Sequence, residues 1–322
     1  MLKVIYEVRD RIAHITLNRP AARNAMDGEM DSLLWRSFAR FRDDDEVDVA
    51  IVTGAGEAFC AGADLKTLIP ARMNQSAWWV RQNAARGLGG ITRGLHDIRK
   101  PLIAAVNGWA LAAGFELALA CDIRIASEQA QLGSFEARRG FHHMDGGIAR
   151  LVDIAGVGAA LELVLTAEPI DAGRAQQLGL VTRVVPAGDL LSEAEAIAHK
   201  LLRNSQDALR SAKETILDMI GRRLDDQLRI EALNGWAIVR DEESRQRLQN
   251  FYDRTDPDRV GLPTDSSQQY QRPHGIAPCG GAWDRLANLP SHCPPTRSAA
   301  TIPLPGASIQ LPASDSNRTR LP

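Results

Sequence analysis

Residues 102–121, LIAAVNGWALAAGFELALAC, decide the fold. The first five are apolar, which predicts a buried strand over residues 102–106. The Asn-Gly pair that follows favours a turn. Residues 111–121 are apolar on almost every face, so a helix there would be buried. A buried strand that leads into a buried helix indicates a mixed α/β core.

Strand-like and helix-like segments continue on both sides of this stretch. The alternation of residues 4–8 and 12–17 around Arg9-Asp10 predicts a hairpin. Further strands are predicted at residues 47–53 and 123–126, and a helix from Met30 to Phe41. Residues 190–251 have a dominantly helical pattern, and residues 54–65 are expected to form a glycine-bearing loop.

The last part of the chain differs in composition from the rest. Eleven of the sixteen prolines lie in residues 257–322, and no apolar period is sustained there. Such a segment cannot bury enough surface to offset its ordering entropy, so residues 257–322 are expected to be a mostly disordered tail. A linear motif that binds a partner is the alternative.

Charge and cysteine content exclude several function classes. The chain has 38 Lys and Arg against 40 Asp and Glu, a net charge of −2, which does not favour binding to nucleic acid. Four cysteines without a CxxC pair predict neither a disulfide framework nor a zinc site. No uncharged apolar run is long enough for a membrane span or a signal peptide. A cytoplasmic protein without membrane contact is expected.

Two predicted junctions near Ala63 and Ala113 place small residues where backbone N–H groups can approach a ligand. Two convergent N–H donors form an oxyanion hole, which stabilises charge that develops on a carbonyl oxygen. Tight turns needed only for packing are the alternative for each loop.

Glu116 and Glu136 are candidate acid-base groups. Glu116 lies in an apolar segment, where a carboxylate must be paired, hydrogen-bonded or protonated because burying a bare charge is costly. Either glutamate could transfer a proton, and structural ion pairing is the alternative for both. Glu136 has Arg138 and Arg139 close by in sequence.

Several motifs follow one another in order along residues 1–255. They are FCAGADLK at 59–66, KPLIAAVNG at 100–108, GFELA at 114–118, CDIRIA at 121–126, Glu136, Gly146-Gly147 and AEPIDA at 167–172. In order and spacing these motifs resemble the crotonase (enoyl-CoA hydratase/isomerase) superfamily. Several ordered motifs together are a specific signal.

The resemblance implies an architecture and a substrate class. The fold would be α/β, with a crotonase-like spiral of ββα repeats over residues 1–189 and a helical trimerisation region over residues 190–256. Such chains assemble as homotrimers or dimers of trimers. The substrate would be an acyl-CoA thioester, and coenzyme A would enter as part of the substrate, with no separate cofactor.

The resemblance also implies roles for individual residues. The amides of Ala63 and Ala113 would hold the thioester oxygen, Glu116 would activate water, and Glu136 would exchange the proton at the α-carbon. The implied activity is that of an enoyl-CoA hydratase. Residues expected to contact the substrate are Arg23, Ala61, Asp64, Leu65, Lys66, Gly114 and His143.

The chain departs from the family pattern at two places. Residues 112–114 are Ala-Ala-Gly where hydratases often have three glycines, and residues 141–145 are Phe-His-His-Met-Asp where a proline and small residues are usual. His142, His143 or Asp145 could add an acid-base group or recognise a polar acyl substituent, or could only shape the pocket. Adjacent histidines with one aspartate do not predict a metal site.

Other activities remain open at this point. Double-bond isomerisation, or dehydration of a polar acyl-CoA, would use Glu136 as the proton carrier. A non-catalytic relative that binds CoA or RNA is a hypothesis from another class, and the near-neutral charge does not favour RNA. Trp78 and Trp79 could line the acyl tunnel.

Overall fold

The structure is a computed structural model that describes residues 2–83, 87–93 and 98–253. The predicted tail, residues 257–322, lies outside the described residues. The strands are β1 Val4–Arg9, β2 Ile12–Leu17, β3 Val49–Gly54, β4 Ala58–Cys60, β5 Leu102–Val106, β6 Trp109–Leu111, β7 Ile123–Ser127, β8 Gln131–Gly133, β9 Ile170–Asp171 and β10 Arg183–Val185. The helices are α1 Gly28–Asp43, α2 Leu68–Met73, α3 Ala77–Asn83, α4 Ala113–Leu119, α5 Gly147–Thr166, α6 Ala172–Gln177, α7 Leu190–Arg203, α8 Gln206–Met219, α9 Leu224–Val239 and α10 Glu242–Tyr252.

The larger sheet has six strands in the order β1-β2-β3-β5-β7-β10. The predicted hairpin is present, since β1 and β2 pair antiparallel from Val4 opposite Leu17 to Arg9 opposite Ile12. All other neighbours in this sheet are parallel. Strand β5 at the centre is entirely apolar and buried, as is typical of parallel strands covered on both faces.

The smaller sheet has the order β4-β6-β8-β9. Strands β4, β6 and β8 are parallel neighbours, and β9 pairs antiparallel with β8. Each of β4, β6 and β8 follows directly after one strand of the larger sheet, β3, β5 and β7 respectively. The predicted mixed α/β core is confirmed, and the repeated strand pair with helices between the repeats is the spiral of ββα repeats that the resemblance implies.

Two apolar layers cover the larger sheet. On one face the main core contains Phe38 and Phe41 of α1, Phe59 of β4 and Phe115 of α4, all nearly or fully buried. On the other face Ile51, Ile103 and Ile125 pack with Leu190 and Ile197 of α7. Helix α1 begins at a side-chain cap, because the carboxylate of Asp27 accepts a hydrogen bond from the Met30 N–H. The packed sheet gives the loops at its ends a rigid support.

Two local predictions differ from the structure. The predicted helix over residues 111–121 spans only Ala113–Leu119, because Leu111 still pairs with β8 as part of β6. The predicted loop over residues 54–65 contains strand β4. Both differences come from strands of three residues, which are too short to show a periodic pattern.

The C-terminal part of the described chain is helical, from α7 through α10. Helices α9 and α10 contain no fully buried residue. Within the described residues, none of the helices combines the length and the apolar character that crossing a bilayer requires.

Candidate active site

The candidate site lies at one edge of the smaller sheet. The loop with Ala63 follows β4, helix α4 with Ala113 and Glu116 follows β6, and Ser134 and Glu136 follow β8. Because these three strands are parallel neighbours, their carboxyl ends meet at the same edge. Segments far apart in sequence are therefore brought together, as at the ligand sites of other parallel sheets.

A cleft of about 770 Å³ opens at this edge. Its inner wall includes Ala63, Ala113, Glu116 and Glu136, and its outer wall is formed mostly by apolar and arginine side chains of α1, α2 and α3 and of the segments around residues 87–93 and 139–145. A volume of this size suits an organic ligand of substrate dimensions.

The outer wall is tied to α1 through Asp31. Its carboxylate accepts hydrogen bonds from the Arg72 guanidinium on α2 at 2.9 Å and from the Gly89 N–H at 2.6 Å. One side chain of α1 thus holds two separate segments at the cleft.

Ala63 and Ala113, whose N–H groups are predicted to form an oxyanion hole, both line the cleft. Neither N–H donates a hydrogen bond within the described residues, and the Ala113 N–H belongs to the first turn of α4, where N–H groups lack helical partners. The two loops touch, since a Cβ on Gly62 would lie 2.9 Å from the Ala112 Cβ and 3.3 Å from the Ala113 nitrogen. Two free donors therefore lie side by side in the cleft wall.

Glu116 is buried and firmly held. Its side chain is 3% exposed, and Oε1 accepts hydrogen bonds from the N–H groups of Asp145 at 2.8 Å and Gly147 at 2.9 Å. Two backbone donors on one carboxylate oxygen fix the orientation of the side chain. The carboxylate that the apolar sequence context singled out is thus hydrogen-bonded and faces the cleft.

Glu136 and His143 form a close buried pair. Nδ1 of His143 lies 2.7 Å from Oε1 of Glu136 and 3.4 Å from Oε1 of Glu116. Neither Nδ1 of His143 nor Oε2 of Glu136 has an aligned hydrogen-bond partner within the described residues. Buried polar atoms of this kind are rare and are found where chemistry or a bound molecule requires them.

The protonation of His143 follows from its neighbours. Burial alone lowers the pKa of His143, but interactions with the carboxylates of Glu116 and Glu136 outweigh burial and raise the pKa to about 9. At neutral pH the imidazole is therefore a cation placed between Glu116 and Glu136.

The same three side chains bring their ligand-type atoms within 4.8 Å of one another, which is close enough for a metal ion. The sequence predicted no metal site, and Glu116 and Glu136 did not figure as ligands. The 2.7 Å separation of Nδ1 from the Glu136 oxygen is the distance of a close contact between an imidazolium and a carboxyl group. We therefore interpret the cluster as an acid-base centre.

Asp145 lies next to this centre and holds its backbone in place. It is 8% exposed, and Oδ1 accepts from the Leu88 N–H at 3.1 Å and from Nε of Arg93 at 3.2 Å. Burial and, secondarily, the charge of Glu116 raise the pKa of Asp145. Asp145 fixes the segment whose backbone N–H binds Glu116.

Other predicted substrate contacts are distributed unevenly. Ala61 and Leu65 line the cleft. Asp64 does not line it: one carboxylate oxygen caps the turn at Lys66 and Thr67, and the other binds the Arg19 guanidinium at 3.1 Å. The structure thus shows Asp64 as a loop-stabilising residue.

Gly114 does not line this cleft, so its contact with the substrate stays a prediction. Gly114 is buried away from the cleft lining, and a Cβ there would lie 2.1 Å from the Cys60 carbonyl oxygen. The glycine is required because α4 packs directly on β4.

Arg23 and Lys66 are exposed and lie outside the cleft lining, so their contacts with coenzyme A stay predictions. Trp79 lines the cleft, whereas Trp78 is 69% exposed and does not. Ser134, which contacts His143, was missed by sequence analysis. A lone serine after a short strand gives no local signal.

The chain belongs to the enoyl-CoA hydratase/isomerase family, whose sequence model matches residues 7–260. The match spans the fold and the site described above.

Relatives named as hydratases are similar along most of this part of the chain. The chain is 35% identical over 257 residues to a probable mitochondrial enoyl-CoA hydratase of Dictyostelium discoideum. This alignment covers 78% of the chain and 88% of that protein. The chain is 38% identical over 216 residues to the short-chain-enoyl-CoA hydratase of Clostridium acetobutylicum, covering 66% and 80%. A crystal structure of an enoyl-CoA hydratase from Bacillus anthracis is similar with a TM-score of 0.71 at 34% identity, covering 80% and 98%.

Proposed function

We propose that the protein is an enoyl-CoA hydratase, a hydro-lyase that adds water reversibly to a 2-enoyl-CoA thioester. The observation that carries the proposal is the convergence of two buried glutamates, Glu116 and Glu136, on the cleft whose wall holds the free amides of Ala63 and Ala113. The relatives named as hydratases support it.

The residues divide the reaction between them. The amides of Ala63 and Ala113 donate hydrogen bonds to the thioester oxygen, which stabilises enolate-like charge and makes the β-carbon electrophilic. Glu116 takes a proton from water as the water oxygen bonds to the β-carbon. Glu136 gives a proton to the α-carbon. In sum one water adds across the double bond, and coenzyme A remains attached throughout.

The proposal is tested by the loss of ultraviolet absorbance of the conjugated thioester, with crotonyl-CoA and longer 2-enoyl-CoAs. We expect Glu116→Gln and Glu136→Gln each to lower kcat by about 100-fold or more, as loss of a positioned acid-base group does. Glu128→Gln, at an exposed position after β7, is the matched control and should keep wild-type activity.

A wild-type protein that binds CoA but consumes no 2-enoyl thioester would contradict the proposal. Gain of absorbance from a 3-enoyl-CoA in the same assay would point instead to an isomerase.

We further propose that the chain works as a homotrimer or a dimer of trimers. Large apolar side chains are exposed on α5 and α9, among them Leu161, Leu165, Leu233 and Trp236. Several large apolar side chains exposed on one helix are typical of an interface. For location we propose the cytoplasm, in keeping with Cys60 and Cys121, which are both free and buried thiols.

A further inference from the structure

His143 occupies the space between the two glutamates that the proposed reaction uses. Its side chain is 1% exposed, and the same atom, Nδ1, faces Glu136 at 2.7 Å and Glu116 at 3.4 Å. One titratable nitrogen therefore lies within reach of both carboxylates.

The opposite edge of the imidazole is anchored. Nε2 lies 2.6 Å from the Ser134 hydroxyl, which is itself buried. Gly147 leaves room for the ring, since a Cβ at that position would lie 2.6 Å from the His143 Cγ and 2.9 Å from the Glu116 Cγ. The ring is thus held in one orientation, with Nδ1 on the side of the two glutamates.

The groups that face His143 leave it as the cation of the centre. Glu116 approaches from α4, Glu136 from the turn after β8, and the neutral Ser134 from the end of β8. The next carboxyl group, Asp145, has its own cationic partner in Arg93. Two buried carboxylates this close together require a positive charge or shared protons between them.

The proton balance of the hydration reaction requires a group that transfers protons between turnovers. Each addition of water leaves Glu116 with one proton gained and Glu136 with one proton lost. The next turnover can begin only after Glu116 has lost that proton and Glu136 has regained one.

We propose that His143 is a positioning residue that holds a proton at Nδ1 between the two carboxylates and returns it from Glu116 to Glu136 after each turnover. The Nδ1–H bond breaks as its proton passes to Glu136, and Nδ1 then takes the proton from Glu116. The imidazolium is regenerated, and no further reactant is consumed. This inference rests on the proposed hydratase function.

The experiment compares wild type with His143→Gln, which keeps a hydrogen-bonding side chain but cannot carry a proton. We expect kcat to fall by about 100-fold, the lower end of the effect of a positioned proton-transfer group, with KM little changed. The alkaline limb of the wild-type pH profile should disappear in the variant. His199→Gln, at an exposed position of α7, is the matched control.

A second variant separates proton transfer from packing. In His143→Ala, added imidazole should restore part of the lost kcat, and its effect should depend on the pH through the protonated fraction of imidazole. A kcat for His143→Gln within about threefold of wild type would overturn the proposal, because a positioned proton carrier contributes more than that. Loss of activity on dialysis against a chelator, with recovery on adding a divalent metal, would also overturn the proposal.

A measurement on the unsubstituted protein keeps the proposal testable if the variants do not fold. Nitrogen-detected NMR of the histidine rings should show His143 as an imidazolium at pH 7, and a neutral ring there would overturn the proposal. This NMR measurement needs no substrate. Failure of wild type to hydrate any thioester would therefore refute the hydratase function, while the NMR result would still report on the proton at His143.

Discussion

Ala112 determines where the Ala113 amide points. Its backbone has φ 53° and ψ −127°, a region that residues with a side chain rarely adopt. Hydrogen bonds hold it there: its N–H donates to the Gly133 oxygen at 2.9 Å, and its own oxygen accepts from Phe115 and Glu116. Strain at this residue is offset by β6 and α4, and the result is a free N–H at the cleft.

The ion pairs of His143 make stability depend on pH. Its pKa is about 9 in the folded protein against an ordinary value of 6.5, so the folded state binds the proton more tightly than the unfolded chain. This contribution is fully present below pH 6.5 and is lost as pH rises through 9. We expect the difference in melting temperature between wild type and His143→Gln to shrink steadily over that interval.

The measurement is thermal unfolding of both proteins between pH 6 and 10, with His199→Gln as the control for loss of a histidine. A difference that stays constant with pH would show that His143 stabilises the fold by packing alone.

At the scale of elements, α4 and β4 are in direct backbone contact. Gly114→Ala would place a methyl group 2.1 Å from the Cys60 carbonyl oxygen, so α4 would have to move. We expect a loss of about 3 kcal/mol or more in the free energy of unfolding, since overpacking in the core is costly. Hydratase activity should fall with it, because α4 carries Ala113 and Glu116.

Gly28→Ala, at the exposed first position of α1, is the matched control. No atom lies within 4 Å of a Cβ at that position, so the free energy of unfolding should stay within about 1 kcal/mol of wild type. Chemical denaturation measures both variants. Equal stability of Gly114→Ala and wild type would contradict the packing described here.

The long elements could be predicted from sequence, and the short ones could not. Strand β5 is an apolar run of five residues, β3 and β7 are mostly apolar, and α1 shows apolar residues at helical spacing. Strands β4, β6 and β8 have three residues each, although their ends carry the site. Their pairing depends on contacts between distant segments, which local patterns do not contain.

Some residues of the site could also be predicted from sequence, whereas others could not. Glu116 and Glu136 could be singled out because a carboxylate in apolar surroundings or within a recurring motif is unusual. That His143 lies between them, with Ser134 behind it, depends on how the turn after β8 folds back onto α4. No spacing of residues in the sequence predicts that this turn contacts α4.

At the scale of the whole molecule, the C-terminal helices have an uncovered surface. Helix α9 buries no residue fully, while Leu233 and Trp236 are 66% and 63% exposed. We expect the purified chain to be a trimer or hexamer by light scattering after size-exclusion chromatography. Trp236→Glu should shift the mass towards the monomer, because it places a charge in an apolar interface.

Circular dichroism should show an unchanged helix content for Trp236→Glu, which separates loss of assembly from loss of folding. A wild-type chain that elutes as a monomer at micromolar concentration would contradict the predicted assembly.

Because Asp31 binds α2 to α1, the cleft wall that shapes the ligand space is attached separately from the catalytic groups. Acid-base groups and amide donors are built into the strand ends and α4, while the facing wall on α2 is attached to α1 through the Asp31–Arg72 ion pair. Substitutions in α2 or α3 can therefore reshape the space for the acyl chain without disturbing the glutamates. Selection can diversify which acyl groups fit while the reaction itself is inherited unchanged.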